Sequence, residues 1–86
     1  MSVPCFNRGF RLRRDDVRGS WIVLAPERIF VLDDHAAEVL QLVDGARSTA
    51  DIVAVLAEKF AAPASEIGAD VEAMLQDLKS KGAIAL

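Results

Sequence analysis

Two hydrophobic periods divide this chain. Between Gly9 and Leu32 the apolar residues come in short runs of strand length, and from Asp33 to Lys81 they recur every three or four positions. In residues 9–14, Phe10 and Leu12 fall on one side and Arg11 and Arg13 on the other, which predicts a half-buried strand. Residues 15–19 read as a turn, with Gly19 free to take a positive φ. Residues 21–25 form a second strand. Pro26 has no N–H to give to a ladder and pre-sets φ for a tight turn, so the chain reverses there. Residues 28–32 are then a third strand, with Ile29, Phe30, Val31 and Leu32 apolar on both faces. A lone sheet packed on a few helices covers one face fully and the other only in part.

The helical half starts without a linker. Asp33 or Asp34 can cap a first helix carrying Ala36, Val39, Leu40 and Val43, with Gly45 as its terminator. Ser48 or Thr49 caps a second helix, whose stripe is Ile52, Val53, Leu56 and Phe60 and whose first turn holds Asp51. Ala61-Ala62-Pro63 breaks it. Ser65 can cap a third helix with the stripe Ile67, Val71, Met74, Leu75 and Leu78, ended at Gly82. Gly68 lies inside that helix, where it costs about 1 kcal/mol against alanine and suggests a frayed turn or, as the lesser reading, another backbone close by. Residues 84–86 form a short apolar tail expected to fold back on the core. Residues 1–8 lack periodicity and read as a flexible N-terminal arm. The prediction is an α+β fold of winged helix-turn-helix type, with a three-stranded antiparallel sheet followed by a three-helix bundle, forming a single domain over residues 9–86.

Composition narrows what such a fold can do. The chain has 86 residues, 52% of them hydrophobic and 6% aromatic, enough for one thin aliphatic core. No apolar run approaches the ~20 residues of a membrane span, and the first ten residues do not read as a signal peptide. One cysteine excludes an internal disulfide, so the cytoplasm is the expected compartment. His35 and Cys5, the lone histidine and cysteine, lie on unrelated segments and make a poor metal or thiolate site. The acid pairs Asp15-Asp16 and Asp33-Asp34 are explained as turn and cap. No catalytic residue, cofactor site or metal site is expected.

Charge separates the binding classes. The net charge is −3, yet Arg8, Arg11, Arg13, Arg14 and Arg18 crowd the N-terminal part. A nucleic-acid reader of this fold should carry its cations on the third helix, and here that helix offers Glu66, Asp70, Glu72 and Asp77. Nucleic acid is therefore the lesser reading. Peptide capture by strand addition fits better, since an edge strand supplies free N–H and C=O groups and a helix beside it can wall a groove. An apolar edge of this kind can also pair with a second copy or exchange its sheet, giving a homodimer.

A resemblance carries the reading further. FRLRR, then WIVLAPERIFVLDDHAAEVLQLVDGARST, then DIVAVLAEKF and ADVEAMLQDLKSKGAI, in that order from Phe10 onward, resemble the PqqD family of pyrroloquinoline quinone biosynthesis proteins. The turn Leu24-Ala25-Pro26-Glu27, and Asp44-Gly45 before a Thr-capped helix, are its specific parts. The resemblance implies a non-catalytic peptide chaperone, or precursor-peptide recognition element. Such a protein binds the ribosomally made precursor peptide of pyrroloquinoline quinone and presents it to a radical S-adenosylmethionine enzyme that cross-links a Glu and a Tyr. A recognition element for a different modified peptide is the alternative. The resemblance further implies that the peptide adds beside the third strand and packs on the third helix. In this chain those positions are Arg28, Ile29, Phe30, Val31 and Leu32, with Val71, Met74, Leu75 and Leu78. Arg14 stands where relatives would carry an aromatic residue, and Gly68 where they would carry a helix former.

Overall fold

The computed structural model describes residues 2–86. Among them run β1 (Cys5–Phe6), β2 (Arg11–Asp15), β3 (Ser20–Leu24), β4 (Ile29–Val31), α1 (Asp34–Leu40), α2 (Thr49–Phe60), α3 (Ala64–Ser80) and β5 (Ile84–Ala85). An antiparallel sheet in the order β2-β3-β4 precedes three helices, the predicted α+β architecture. Its strands lie within two residues of the expected ones, since Ala25 N donates to Arg28 O at 2.9 Å and Leu32 N to Trp21 O at 3.0 Å just beyond β3 and β4.

Register assigns the faces. Leu12, Val23 and Phe30 are aligned across the three strands; Val23 belongs to the core with Leu40, Ile52, Leu56, Val71, Leu75 and Ile84, and the half-buried Leu12 and Phe30 pack against it. Arg13, Ile22 and Val31 are aligned on the opposite side. Asp15 closes the β2–β3 turn, its Oδ1 accepting from Val17 N at 3.2 Å and Arg18 N at 3.3 Å.

The caps refine the helix boundaries. Asp33 Oδ1 accepts from Ala36 N at 2.7 Å, so Asp33 is the N-cap of α1. That helix ends at Leu40, earlier than expected. Leu42 N and Val43 N bond only three residues back, and Gly45, at φ 77°, lies in the loop beyond rather than at the helix end. The tightened turns still deliver Val43 to the core. Ser48 and Asp51 form a reciprocal capping box at α2. For α3 the expected Ser65 cap is corrected: Pro63 occupies the N-cap position and Ser65 lies inside the first turn. Proline there suits the helix start, because it pre-sets φ and its missing N–H is not needed.

Gly68 also differs from expectation. The helix runs unbroken through it, and a Cβ there would meet Val53 Cγ1 at 3.9 Å, so the glycine sits against α2 in a hydrogen-bonded turn. Phe60, expected on the buried stripe of α2, is exposed instead at the helix end, where Ala61 turns left-handed at φ 50°.

The N-terminal segment is the largest departure. Residues 1–8, expected as an arm without regular structure, carry from Ser2 onward a set of ties to the domain, while Met1 lies outside the described residues. β1 pairs antiparallel with β5, Asn7 N donates to Ala83 O at 2.9 Å, and Asn7 Nδ2 donates to Gly82 O at 2.8 Å. Ser2 O accepts from Thr49 N at 3.0 Å, and Pro4 is fully buried. The apolar tail at residues 84–86 is what the segment pairs with, and a two-residue pairing is too short to leave any periodic signal.

Candidate peptide-binding groove

Strand β4 bonds to β3 on one side and to no strand among the described residues on the other. The ladder decides which of its groups are free. Arg28 and Leu32 sit in hydrogen-bonded pairs with Ala25 and Trp21. In an antiparallel ladder these pairs alternate, so Phe30 bonds to Val23, while Ile29 and Val31 aim N–H and C=O away from β3. The edge therefore offers two donor–acceptor sets, at Ile29 and Val31. Both residues are exposed, at 56% and 57%.

Beside this edge lies a groove of about 1030 Å³. Phe30 and Leu32 on the sheet side, Val39 of α1, Phe60 of α2 and Val71, Met74 and Leu78 of α3 make it apolar. The sequence-predicted set divides here. Ile29, Phe30, Val31, Leu32, Val71, Met74 and Leu78 all border the groove. Val71 is only 2% exposed and forms its floor, whereas Met74 is half-buried and accessible. Val31 borders it from the edge, with its side chain on the other sheet face beside Ile22. Leu75 is 1% exposed, lies in the core and does not border the groove. Arg28 does not border it either; its guanidinium carbon stands 5.3 Å from the centroid of the Phe30 ring.

Sequence reasoning missed His35, Phe60 and Ile67 as lining residues. Ile67 and Phe60 were indistinguishable from core by spacing, and His35 had no local partner to mark it. The rim is predominantly acidic, with Asp33, Glu38, Asp70 and Asp77 against His35 and Lys81. Two of those acids are paired: Glu38 Oε2 with Lys59 Nζ at 2.6 Å, and Asp77 Oδ2 with Lys81 Nζ at 2.8 Å. Asp33 is engaged as a cap, which leaves Asp70 as a rim carboxylate without an ion pair among the described residues. The exposed side of α3 also carries Glu66 and Glu72, a surface that repels phosphate. Cys5 is exposed on β1, on an element apart from His35.

Comparison with known proteins gives the family. Residues 20–84 match the family model of coenzyme PQQ synthesis protein D. A PqqA binding protein of Rhodopseudomonas palustris strain HaA2 is 56% identical over 81 residues, covering 94% of this chain and 79% of that protein. The bifunctional coenzyme PQQ synthesis protein C/D of Methylorubrum extorquens is 46% identical over 92% of this chain, which matches 21% of that longer protein. Among solved structures, the PqqD portion of Methylobacterium extorquens PqqCD, described as a stand-alone recognition element for ribosomally synthesized, post-translationally modified peptides, superposes with a TM-score of 0.83 at 43% identity. The superposition covers 98% of this chain and 89% of that one. Lasso peptide synthetase B1 in complex with its leader peptide shares the fold, with a TM-score of 0.83 at 20% identity over 99% of this chain and all of that one. With the family model spanning most of the chain and close relatives along nearly its whole length, this chain belongs to the coenzyme PQQ synthesis protein D family.

Proposed function

We propose that this chain is a peptide chaperone of coenzyme PQQ synthesis, one that takes up the ribosomally made precursor PqqA by strand addition at β4. The observation that carries this reading is the open edge, with two outward backbone sets at Ile29 and Val31 directly beside an apolar groove. Relatives bearing the name PqqA binding protein supply the client.

The geometry suggests a division of labour. Backbone groups of Ile29 and Val31 hold the peptide main chain. Peptide side chains opposite Phe30 and Leu32 enter the groove and meet Met74 and Val71, while those opposite Ile29 and Val31 stay on the other face. Backbone bonds give about 1 kcal/mol each, which alone does not offset the several kcal/mol lost on association. Groove filling must therefore supply much of the affinity, and Met74 suits varied partners because its thioether is flexible.

The role is presentation rather than chemistry: the bound segment is held extended for a radical S-adenosylmethionine enzyme that cross-links a Glu and a Tyr of the peptide. No described helix is long and apolar enough to cross a membrane, and the reading places the chain in the cytoplasm with its client. The same edge can pair with a second copy, so self-association and peptide binding compete. Titrating the precursor peptide into the labelled chain tests the whole reading. The amide signals of Ile29 and Val31 should move most and any dimer should dissociate; a peptide that binds without perturbing β4 would overturn it.

A further inference from the structure

Among the described residues, the outer face of the sheet, opposite the groove side, contributes nothing to the core cluster. Register places Arg11 and Arg13 of β2, Ile22 and Leu24 of β3 and Ile29 and Val31 of β4 on it. Ile22, at the centre, is 7% exposed, whereas Ile29 and Val31 stand open along one margin. Arg11 and Arg13 are exposed along the other margin and form no ion pair among the described residues. The face therefore has an apolar strip with a cationic border. A peptide strand added to β4 would widen it, because every second peptide residue, opposite Ile29 and Val31, falls on this side.

We propose that this outer face docks the peptide-modifying enzyme, through an enzyme patch that is apolar at its centre and acidic along one margin. The proposal rests on the presentation role above and adds the surface that performs it. A second copy of the chain is a poor occupant: the six residues include two arginines and no acid, so pairing like face to like would leave the cations uncompensated. Nucleic acid is a poor one too, since four of the six positions are aliphatic and offer nothing to phosphates. An enzyme on this face touches the sheet and the outward residues of the bound peptide together. Peptide and enzyme then raise each other's affinity by the same factor.

The test is the double charge reversal Arg11→Glu with Arg13→Glu, on the strand farthest from the peptide edge, with Arg11→Gln/Arg13→Gln as a milder second variant should the reversal fail to fold. The purified enzyme is titrated against each chain, with and without saturating precursor peptide, and the peptide is titrated alone. Expected is a loss of about tenfold or more in enzyme affinity for the reversal and a smaller loss for the neutral pair. Peptide affinity should stay unchanged, and enzyme affinity for the native chain should weaken as salt rises. Unchanged enzyme affinity with intact peptide binding overturns the docking face alone. A native chain that binds no peptide overturns the presentation role instead. A native dimer broken by the substitutions would assign the face to a second copy, and DNA retention lost with them would assign it to nucleic acid; either overturns the proposal.

Discussion

At the residue scale, adjacent positions of β4 have opposite duties. Phe30 directs its N–H to β3 and its ring to the core, whereas Val31 directs its N–H to the open edge. Proline discriminates between them because it removes the donor and sets φ near a value that an edge strand tolerates. Val31→Pro should weaken peptide binding by about tenfold while leaving the melting temperature nearly unchanged. Phe30→Pro should destabilise the domain itself, since it removes a ladder bond and a core ring. Calorimetric titration beside thermal unfolding reads both effects, and equal peptide affinity for Val31→Pro and the native chain would refute the edge assignment. Asp44 allows a second prediction. Its carboxylate accepts from Arg47 N at 2.8 Å and Ala46 N at 2.9 Å. These bonds, foremost that from Arg47, hold its pKa below the ordinary 3.8. A pKa depressed by folding means stability that is present above the unfolded value and is lost as pH falls through the lower folded one. Asp44→Ala should therefore flatten the acid limb of the stability curve below about pH 4 and leave its shape at neutral pH unchanged, as followed by denaturant unfolding across pH.

At the element scale, Gly68 lies where α3 faces α2, with room for a side chain. A methyl at that position meets Val53 at an ordinary contact distance, and the backbone there is helical. Gly68→Ala should raise stability by about 1 kcal/mol, some 4–8 °C in melting temperature for a domain of this size. Peptide affinity should not change, because Gly68 lies outside the groove. Destabilisation in a denaturant melt would mean that the two helices need a closer approach than the structure has. The elements themselves were largely legible in the sequence. Alternation at Phe10-Arg11-Leu12-Arg13, the turn proline and the Ser48 or Thr49 cap with Asp51 in the first turn are local signals, and each element formed where its signal lay. The ends were less legible. Gly45 reads as a helix terminator, yet α1 stops at Leu40 because short-range turns are what carry Val43 into the core.

At the scale of the whole molecule, the two ends of the chain meet. β1 covers β5, Pro4 is buried and Phe6 packs on the core, so residues 2–7 form part of the domain's surface layer. Deleting them should cost about 2 kcal/mol or more through the exposure of Ile84 and its neighbours. It should leave the peptide edge in place, since none of residues 2–7 borders the groove. Thermal melts and peptide titration of the truncated chain check both statements, and an unchanged melting temperature would show the pairing to be weak.

The division between sequence and tertiary structure follows from how far each interaction reaches. Periodicity, caps and turns act within a few residues, so the order of three strands and three helices, with the third strand beside the third helix, could be derived from the chain alone. Family likeness in the same residues identified the family. Spacing cannot tell core from groove, because Val71, Met74, Leu75 and Leu78 recur on one helical stripe whichever they line. Only packing against α2 and β5 turned Leu75 inward and left Met74 open. Only the ladder register decided that Ile29 and Val31, and not Phe30, hold free backbone groups, since that choice depends on pairing with a strand elsewhere in the chain. The meeting of β1 with β5 joins residues about eighty positions apart, a distance over which no local pattern carries information.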